Sequence, residues 1–541
     1  MTATRILTNG KIYTVNKKQP WAEAVVLQGN KIAFVGSNEE ALKMQSAETQ
    51  VQDLQGKMML PGLIDGHMHP LMASAFATGA QLADCKNEQE ILQTVKEFVE
   101  ANPNNETYFG QGFQDSIFTH YHPTADALDE ICSDKPILLV ASSCHGAWCN
   151  HKAFELAGVD KNTPDITPNS NYFVRDAQGN PTGRCIESCY IQVAKGADYF
   201  PRKTFNNCLT NFGKQFAALG VTTFVDCGVY SFVLDSLDEN FAEFIRNESF
   251  TQRLFGGFYL ATSTNEIEEC VDGVTYIVNN LKNDDKLAFT FFKVLGDGLI
   301  EAKSAALIEP YGDGTKVVTN FTVEQAKEIA LYVAKHGYDI NIHAIGDATT
   351  HLAIEMLQAI RDAGCADTRF VVSHSQSWLP EDIKRAGKLG AFINSTGVWH
   401  DVTTQEYKES VGATLFTRQY PIKSLIDAGC KYGQGSDCPV SEVPPAPFNC
   451  IEVGLTRQKI GNNTTTSEDV CEAPTLEESI ESFTINNAWE IRMEDKLGSI
   501  EVGKFADLVV VDKNLFDIPT TEIHNVKVTE TIKDGVTTYK A

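Results

Sequence analysis

Six side chains able to hold a cation are spread along the chain at the ends of apolar runs: His67, His69, Lys293, His343, His374 and Asp437. The first two close the stretch Met59-Leu-Pro-Gly-Leu-Ile-Asp-Gly-His-Met-His-Pro70. In an extended strand, residues two apart point the same way, so both imidazoles leave the strand end on one side. A neutral imidazole is a borderline-soft donor that suits Zn²⁺ and similar ions. Lys293 sits inside Phe291-Phe-Lys-Val-Leu, where burial would lower an amine's pKa. His343 ends Tyr338-Asp-Ile-Asn-Ile-His, His374 ends Arg369-Phe-Val-Val-Ser-His, and Asp437 ends Lys431-Tyr-Gly-Gln-Gly-Ser-Asp. Taken singly, each has a plainer role: a hydrogen-bonded structural histidine, a lysine snorkelling out of an apolar strand, an aspartate capping the next segment. Taken together, with four of the chain's 12 histidines in these slots, they point to a metal centre.

The elements that must position them alternate. After the strand at 59–70 come strand-like runs at 220–228, 253–260, 288–298, 338–343, 369–374, 390–395 and 431–437, eight in all. Helical patterns separate the later ones. Thr322 with Gln325, and Thr475 with Glu478, have capping-box spacing. Residues 348–364, 380–390 and 422–429 are amphipathic and end in glycine. Eight β-then-α units predict a (β/α)₈ TIM barrel, an α/β fold whose functional groups stand at the C-terminal ends of the strands. Short strands at 5–37 and 498–539, with hairpin-type breaks at Asn9-Gly10 and Gly29-Asn30, predict a composite small β-sandwich domain built from both termini. The expected domains are 1–57, the first part of that β unit; 58–490, the barrel; and 491–541, its second part. A large insertion of about 85–215 follows the first barrel strand and is expected to cover the site.

Composition narrows the function. The chain has 541 residues and a net charge of −26, which argues against nucleic acid or an anionic membrane as partner. No run of apolar residues is long enough to span a bilayer. The N-terminus lacks a signal peptide's apolar core. The 14 cysteines show no CxxC pair and read as reduced core residues. A cytoplasmic location is expected.

The set resembles the amidohydrolase superfamily over nearly the whole length, and most closely amidohydrolase family 3, which includes deformylases of N-substituted formamides. The matching residues are 61–70, Lys293 with Gly296-Asp-Gly298, His343-Ala-Ile-Gly-Asp347, His374, Gly435-Ser-Asp-Cys-Pro-Val440, and 497–508. The resemblance implies that His67 and His69 bind one metal ion, and that His343 and His374 bind a second. Lys293 would bridge them as a carbamate formed with CO₂. Asp437 would ligate the first ion and act as general base. Zn²⁺ is the implied cofactor, as one or two ions. The implied reaction is attack of metal-bound hydroxide on a non-peptide C–N bond, an amide or an N-acyl or N-formyl amine. A deaminase of a cyclic or aromatic amine is the alternative on the same scaffold, and a non-catalytic regulatory protein is a third reading. His145 is an expected catalytic donor. Trp148, Asn150, Gln111 and Phe113 are expected substrate contacts; Tyr108, Glu187 and Trp399 are weaker ones. His120 and His122 read as surface. The partner is a small amide-type molecule; the superfamily often dimerises, which leaves a homodimer open.

Overall fold

The computed structural model describes the chain apart from residues 1–2, 144–145, 166–170, 230–232, 235–236, 248–249, 261–266, 402–404, 441–445 and 462–469. It divides into two compact units. One comprises 1–69, 213–229 and 238–541; the other comprises 70–212 and 230–237.

The first unit holds a (β/α)₈ barrel. Eight parallel strands follow one another around it: β1 (Leu63–Met68), β2 (Val221–Val229), β3 (Arg253–Tyr259), β4 (Leu287–Leu295), β5 (Asp339–Ala344), β6 (Phe370–His374), β7 (Phe392–Ser395) and β8 (Lys431–Gln434). The helices are α1 (Glu239–Arg246), α2 (Ile267–Leu281), α3 (Val323–Lys335), α4 (Asp347–Asp362), α5 (Pro380–Leu389), α6 (Ile422–Ala428), α7 (Leu476–Ser482) and α8 (Ile485–Glu490). Both capping boxes form, at Thr322/Gln325 on α3 and Thr475/Glu478 on α7. α5 and α6 stop where Gly390 (φ 72°) and Gly429 (φ 107°) take left-handed backbone, which costs a glycine little.

The ladder is continuous from β1 through β2 to β8 but stays open between β8 and β1. Near the strand starts, side chains of α8 occupy that opening. An apolar cluster joins Ile64, Val225, Cys227, Phe255 and Phe291 of the barrel to Ala488 of α8 and to Ile491 just after it.

Strands from both ends of the chain share one six-stranded sheet in this unit. Met58–Pro61 lies between Lys11–Tyr13 and Leu508–Val511, and Val528–Lys533 and Val536–Lys540 follow. Gly29 (φ 58°) turns the hairpin between Ala24–Gln28 and Lys31–Gly36. Asn9-Gly10 does not make the expected hairpin. Arg5–Thr8 pairs with Ala24–Gln28 and Gln50–Asp53 in a separate four-stranded sheet, so this break passes the chain between sheets. Packing decides it: a Cβ on Gly10 would meet Leu54 at 2.7 Å and Ile12 at 3.1 Å. Arg253, at the start of β3, ties the barrel to the C-terminal strands through two 3.2 Å bonds to Asp507, with both side chains buried.

The second unit is a six-stranded mixed sheet in the order Phe173–Arg175, Pro181–Ile186, Gly146–Cys149, Ile137–Ala141, Tyr108–Phe113, Ala80–Gln81. Its core gathers Phe113, Phe118, Leu128, Leu139 and Trp148. Among the described residues, no helix is long and apolar enough to cross a membrane, and the buried Cys85, Cys227 and Cys430 are free thiols.

Candidate metal centre

The two histidines of β1 and the aspartate after β8 meet. His67 Nε2 lies 3.7 Å and His69 Nε2 3.3 Å from Asp437 Oδ1. One ligand atom from each of the three falls within 4.8 Å of the others, and all three residues are buried. Metal–ligand bonds of about 2.0–2.2 Å place neighbouring ligand atoms little more than 3 Å apart, so this spacing suits one cation.

The remaining candidates adjoin them. The His374 ring stands 4.9 Å from that of His67 and 4.4 Å from that of His343. His374 Nδ1 lies 3.9 Å from Asp437 Oδ2, and Lys293 Nζ lies 3.5 Å from His67 Nε2. His374 thus adjoins Asp437, His67 and His343 in one cluster. His374 (φ 68°) and Asp437 (φ 51°) both hold left-handed backbone, a conformation that persists in non-glycine residues only where the surroundings over-determine it, often at functional sites.

Hydrogen bonds behind the cluster fix which atoms face inward. Ser373 Oγ donates to Asn341 Oδ1 at 2.5 Å, so it accepts from His67 Nδ1–H at 3.1 Å. That tautomer leaves the lone pair of His67 on Nε2, the nitrogen turned to Asp437. Lys293 Nζ donates to the same Asn341 oxygen at 3.0 Å. His343 Nε2 donates to the Gly298 carbonyl at 3.2 Å. Asp297, expected from the Gly-Asp-Gly motif, supports the loop after β5: its oxygens accept from the amides of Ile345, Gly346 and Ala306. Burial pushes the Asp297 carboxyl up to about 6.

Electrostatics favour ligand forms. Burial, reinforced by Lys293, holds His67 well below the usual imidazole range; burial and then His343 do the same to His374. Both rings are therefore neutral donors at neutral pH. Burial also lowers the Lys293 ammonium to about 8, against the opposing pull of Cys227, Asp437 and Glu490. Asp437 Oδ1 and His69 Nδ1 are buried without a hydrogen-bond partner. An unpartnered carboxylate oxygen facing two imidazole nitrogens is costly as it stands and is what a divalent cation would satisfy, so these residues fit a metal ion.

All six sequence candidates are thus brought to one end of the barrel. Asn341 and Ser373 were missed. Asn341 precedes His343 by two on the same strand, and so shares its face. Trp399, in the turn after β7, stacks on His374 with ring centroids 5.7 Å apart and the planes 24° from parallel.

The expected substrate contacts lie in the second unit, and there the side chains have structural partners. Trp148 is fully buried, and its indole N–H donates to the Thr124 carbonyl at 2.8 Å. Asn150 caps a short helix: its Oδ1 accepts from Ile137 and Ala153, and its Nδ2 donates to the Cys132 and Lys135 carbonyls. Phe113 packs on Phe118 in the core. Gln111 is half-buried and donates to Gln81 Oε1. His145 lies outside the described residues. His120 and His122 are exposed, as expected.

The model of a family described as "Amidohydrolase family" matches residues 50–539. The chain is 29% identical over 437 residues to the exoenzymes regulatory protein AepA of Pectobacterium carotovorum subsp. carotovorum, covering 77% of this chain and 90% of that protein. It is 26% identical over 558 residues to the N-substituted formamide deformylase of Arthrobacter pascens, covering 99% and 98%. Among solved structures, an uncharacterised metal-dependent hydrolase from Pyrococcus horikoshii OT3 shares the fold, with TM-score 0.75 and 21% identity, over 95% of this chain and 99% of that one.

Proposed function

The chain belongs to the amidohydrolase family, and from that membership we propose that this metal-dependent hydrolase cuts a non-peptide C–N bond, that of an amide or an N-acyl amine. The observation that carries the reading is the buried convergence of His67, His69 and Asp437, with Asp437 Oδ1 unpartnered between the two imidazoles. The formamide deformylase relative adds N-formyl amines to the substrates worth testing.

In this reading His67, His69 and Asp437 hold one ion, with zinc the first candidate for their nitrogen and oxygen donors. His343 and His374 hold a second. A bound ion of this kind supplies acidified water and a polarised carbonyl. Lys293 is suited to carboxylation. At neutral pH a share of its side chain is free amine, the form that adds to CO₂; the new N–C bond gives a carbamate, and the nitrogen's proton leaves. The carbamate oxygens would then serve both seats. Ser373 keeps His67 in the tautomer that presents Nε2. Asp437 takes the proton of the attacking water and delivers it to the departing nitrogen, general acid–base work worth about 10²–10⁴-fold. The Trp399 ring against His374 offers an apolar wall to the substrate.

The AepA relative raises a regulatory reading. That role requires no intact ligand set, whereas here all six positions are filled and buried or nearly so. The test is metal per chain by elemental analysis on protein purified without chelators, beside Lys293→Ala and a panel of N-acyl amines. The expected outcome is two divalent ions, fewer in the variant, and hydrolysis of at least one amide. Absence of bound metal together with no turnover would overturn the hydrolase reading.

A further inference from the structure

The metal seat straddles the one place where the barrel ladder is open. His67 stands on β1, His69 just after it, and Asp437 follows β8; among the described residues no ladder joins those strands. Among the described residues, main-chain bonds join the two sides only beside the ligands, so side chains must set the strand spacing below them. At the lower end of the opening, the Asn487 amide of α8 donates to the Ile64 carbonyl of β1 at 2.8 Å and to the Gln434 carbonyl of β8 at 2.7 Å. Asn487 is fully buried. Its slot exists because both flanking strands carry glycine there: a Cβ on Gly66 would meet the Asn487 side chain at 2.5 Å, and one on Gly433 would meet it at 2.3 Å. Glu490, one turn further along α8, acts through Asn394, whose Nδ2 lies 3.2 Å from both Glu490 Oε2 and the Gly66 carbonyl. Higher up, Asp65 Oδ1 accepts from the Ser436 amide at 2.9 Å. Only beside the ligands do main-chain bonds return: Asp437 N–H to the His67 carbonyl at 2.7 Å, and His69 N–H to the Cys438 carbonyl at 2.8 Å.

We propose that Asn487 is a positioning residue for the metal centre, its amide bridge across the β1–β8 opening setting the distance between the histidine pair and Asp437. The inference rests on the metal seat of the proposed function. Ile64 lies three residues before His67, and Gln434 three before Asp437. The first span is about 10 Å of strand and the second is the short turn that leaves β8, so a change in strand separation at the bridge is passed to the ligands. Ligand distances at a metal tolerate only about 0.2 Å, and a side chain of the wrong shape or hydrogen bonding at the bridge would exceed that.

A plain stabilising role for Asn487 makes a different prediction, and a neighbour provides the control. Asn486, on the same helix, donates to the Tyr432 carbonyl of β8 at 2.8 Å but bridges nothing. The experiment measures the Zn²⁺ dissociation constant of the full-length apoprotein by chelator competition, together with its thermal midpoint, for wild type, Asn487→Leu and Asn486→Ala. The expected result is Zn²⁺ binding weakened about 10–100-fold in Asn487→Leu, as for supporting residues at other metal sites, and near-wild-type binding in Asn486→Ala even where the two midpoints fall alike. Should Asn487→Leu not fold, Asn487→Ser, whose one hydroxyl proton serves a single carbonyl, takes its place with the same expectation. Unchanged affinity in the Asn487 variants, or equal weakening by Asn486→Ala, overturns the bridge alone. A wild-type protein that binds no Zn²⁺ overturns the proposed function and the bridge with it.

Discussion

Lys293, His343 and His374 stand on β4, β5 and β6, which run in unbroken parallel register. Lys293 pairs with Asn341, Leu295 with His343, and Ala344 with His374. His67 lies on β1, His69 just after it and Asp437 three residues after β8, where side chains from α8 and Asp65 take the place of a ladder below two main-chain bonds. One half of the cluster is therefore placed by main chain, which any sequence that folds will supply. The other half is placed by two main-chain bonds beside the ligands and, below them, by particular side chains, which a single substitution can remove. Geometry that depends on side chains is easier to tune and easier to lose.

The largest effect is expected at the side-chain-built half. Asp437→Asn should lower turnover of any amide substrate by about 10²–10⁴-fold, the range of general acid–base catalysis, and should reduce metal content by elemental analysis. Full activity in that variant would remove this half from the chemistry. Next comes the ladder half. Ile342, buried on β5 between Asn341 and His343, can be cut to alanine; denaturant unfolding should show a loss of about 2–5 kcal/mol. Metal affinity of the folded fraction should change less than in any ligand variant, because the main-chain ladder and not the Ile342 side chain places His343. A larger loss would mean that the ladder does not insulate its ligands. Ser373→Ala tests the link between halves, because Ser373 of β6 holds His67 of β1. Calorimetric titration with Zn²⁺ should show affinity about 10–100-fold weaker.

The smallest effect lies in the helix layer behind the ladder. Glu355 of α4 meets Lys327 of α3 at 2.7 Å and Arg385 of α5 at 2.6 Å. The hydrogen bonds from Lys327 and then Arg385 lower its carboxyl from 4.5 to about 2. A folded-state value below the unfolded one stabilises above pH 4.5 and is lost as pH falls toward 2. Glu355→Gln should flatten that acid limb of the stability curve by less than about 1 kcal/mol, since the groups are partly solvated.

What could be read from the sequence follows the same division. Strand ends are local: an apolar run closed by a histidine or aspartate needs no knowledge of its neighbours, and five of the six candidates are legible that way, while Lys293 stands out as a lone charge inside an apolar run. The glycine stops at Gly390 and Gly429 are equally local. Partners across strands are not. That Ser373 meets His67, 306 residues away, or that one Asn341 oxygen serves both Ser373 and Lys293, depends on register between separate strands. Asn487 was beyond reach for the same reason, since nothing in Thr-Ile-Asn-Asn-Ala names the two carbonyls it joins. Trp148 and Asn150 show the converse. They were marked by resemblance, and packing within their own unit gave both side chains structural partners. Asn9-Gly10 has the composition of a hairpin, yet the contacts of Leu54 and Ile12 decided otherwise.

The sheet shared by the two ends of the chain has a consequence for the order of folding. Leu60 finds its neighbour in Val509 and Met59 finds its in Val510. As the chain leaves the ribosome, strand Met58–Pro61 emerges early, and that edge stays bare until almost the whole barrel has followed. Pairing across such a separation is slow, and a bare apolar edge is a template for other chains in the meantime. Pro61, which offers no amide hydrogen at the end of that strand, blunts the edge during the wait.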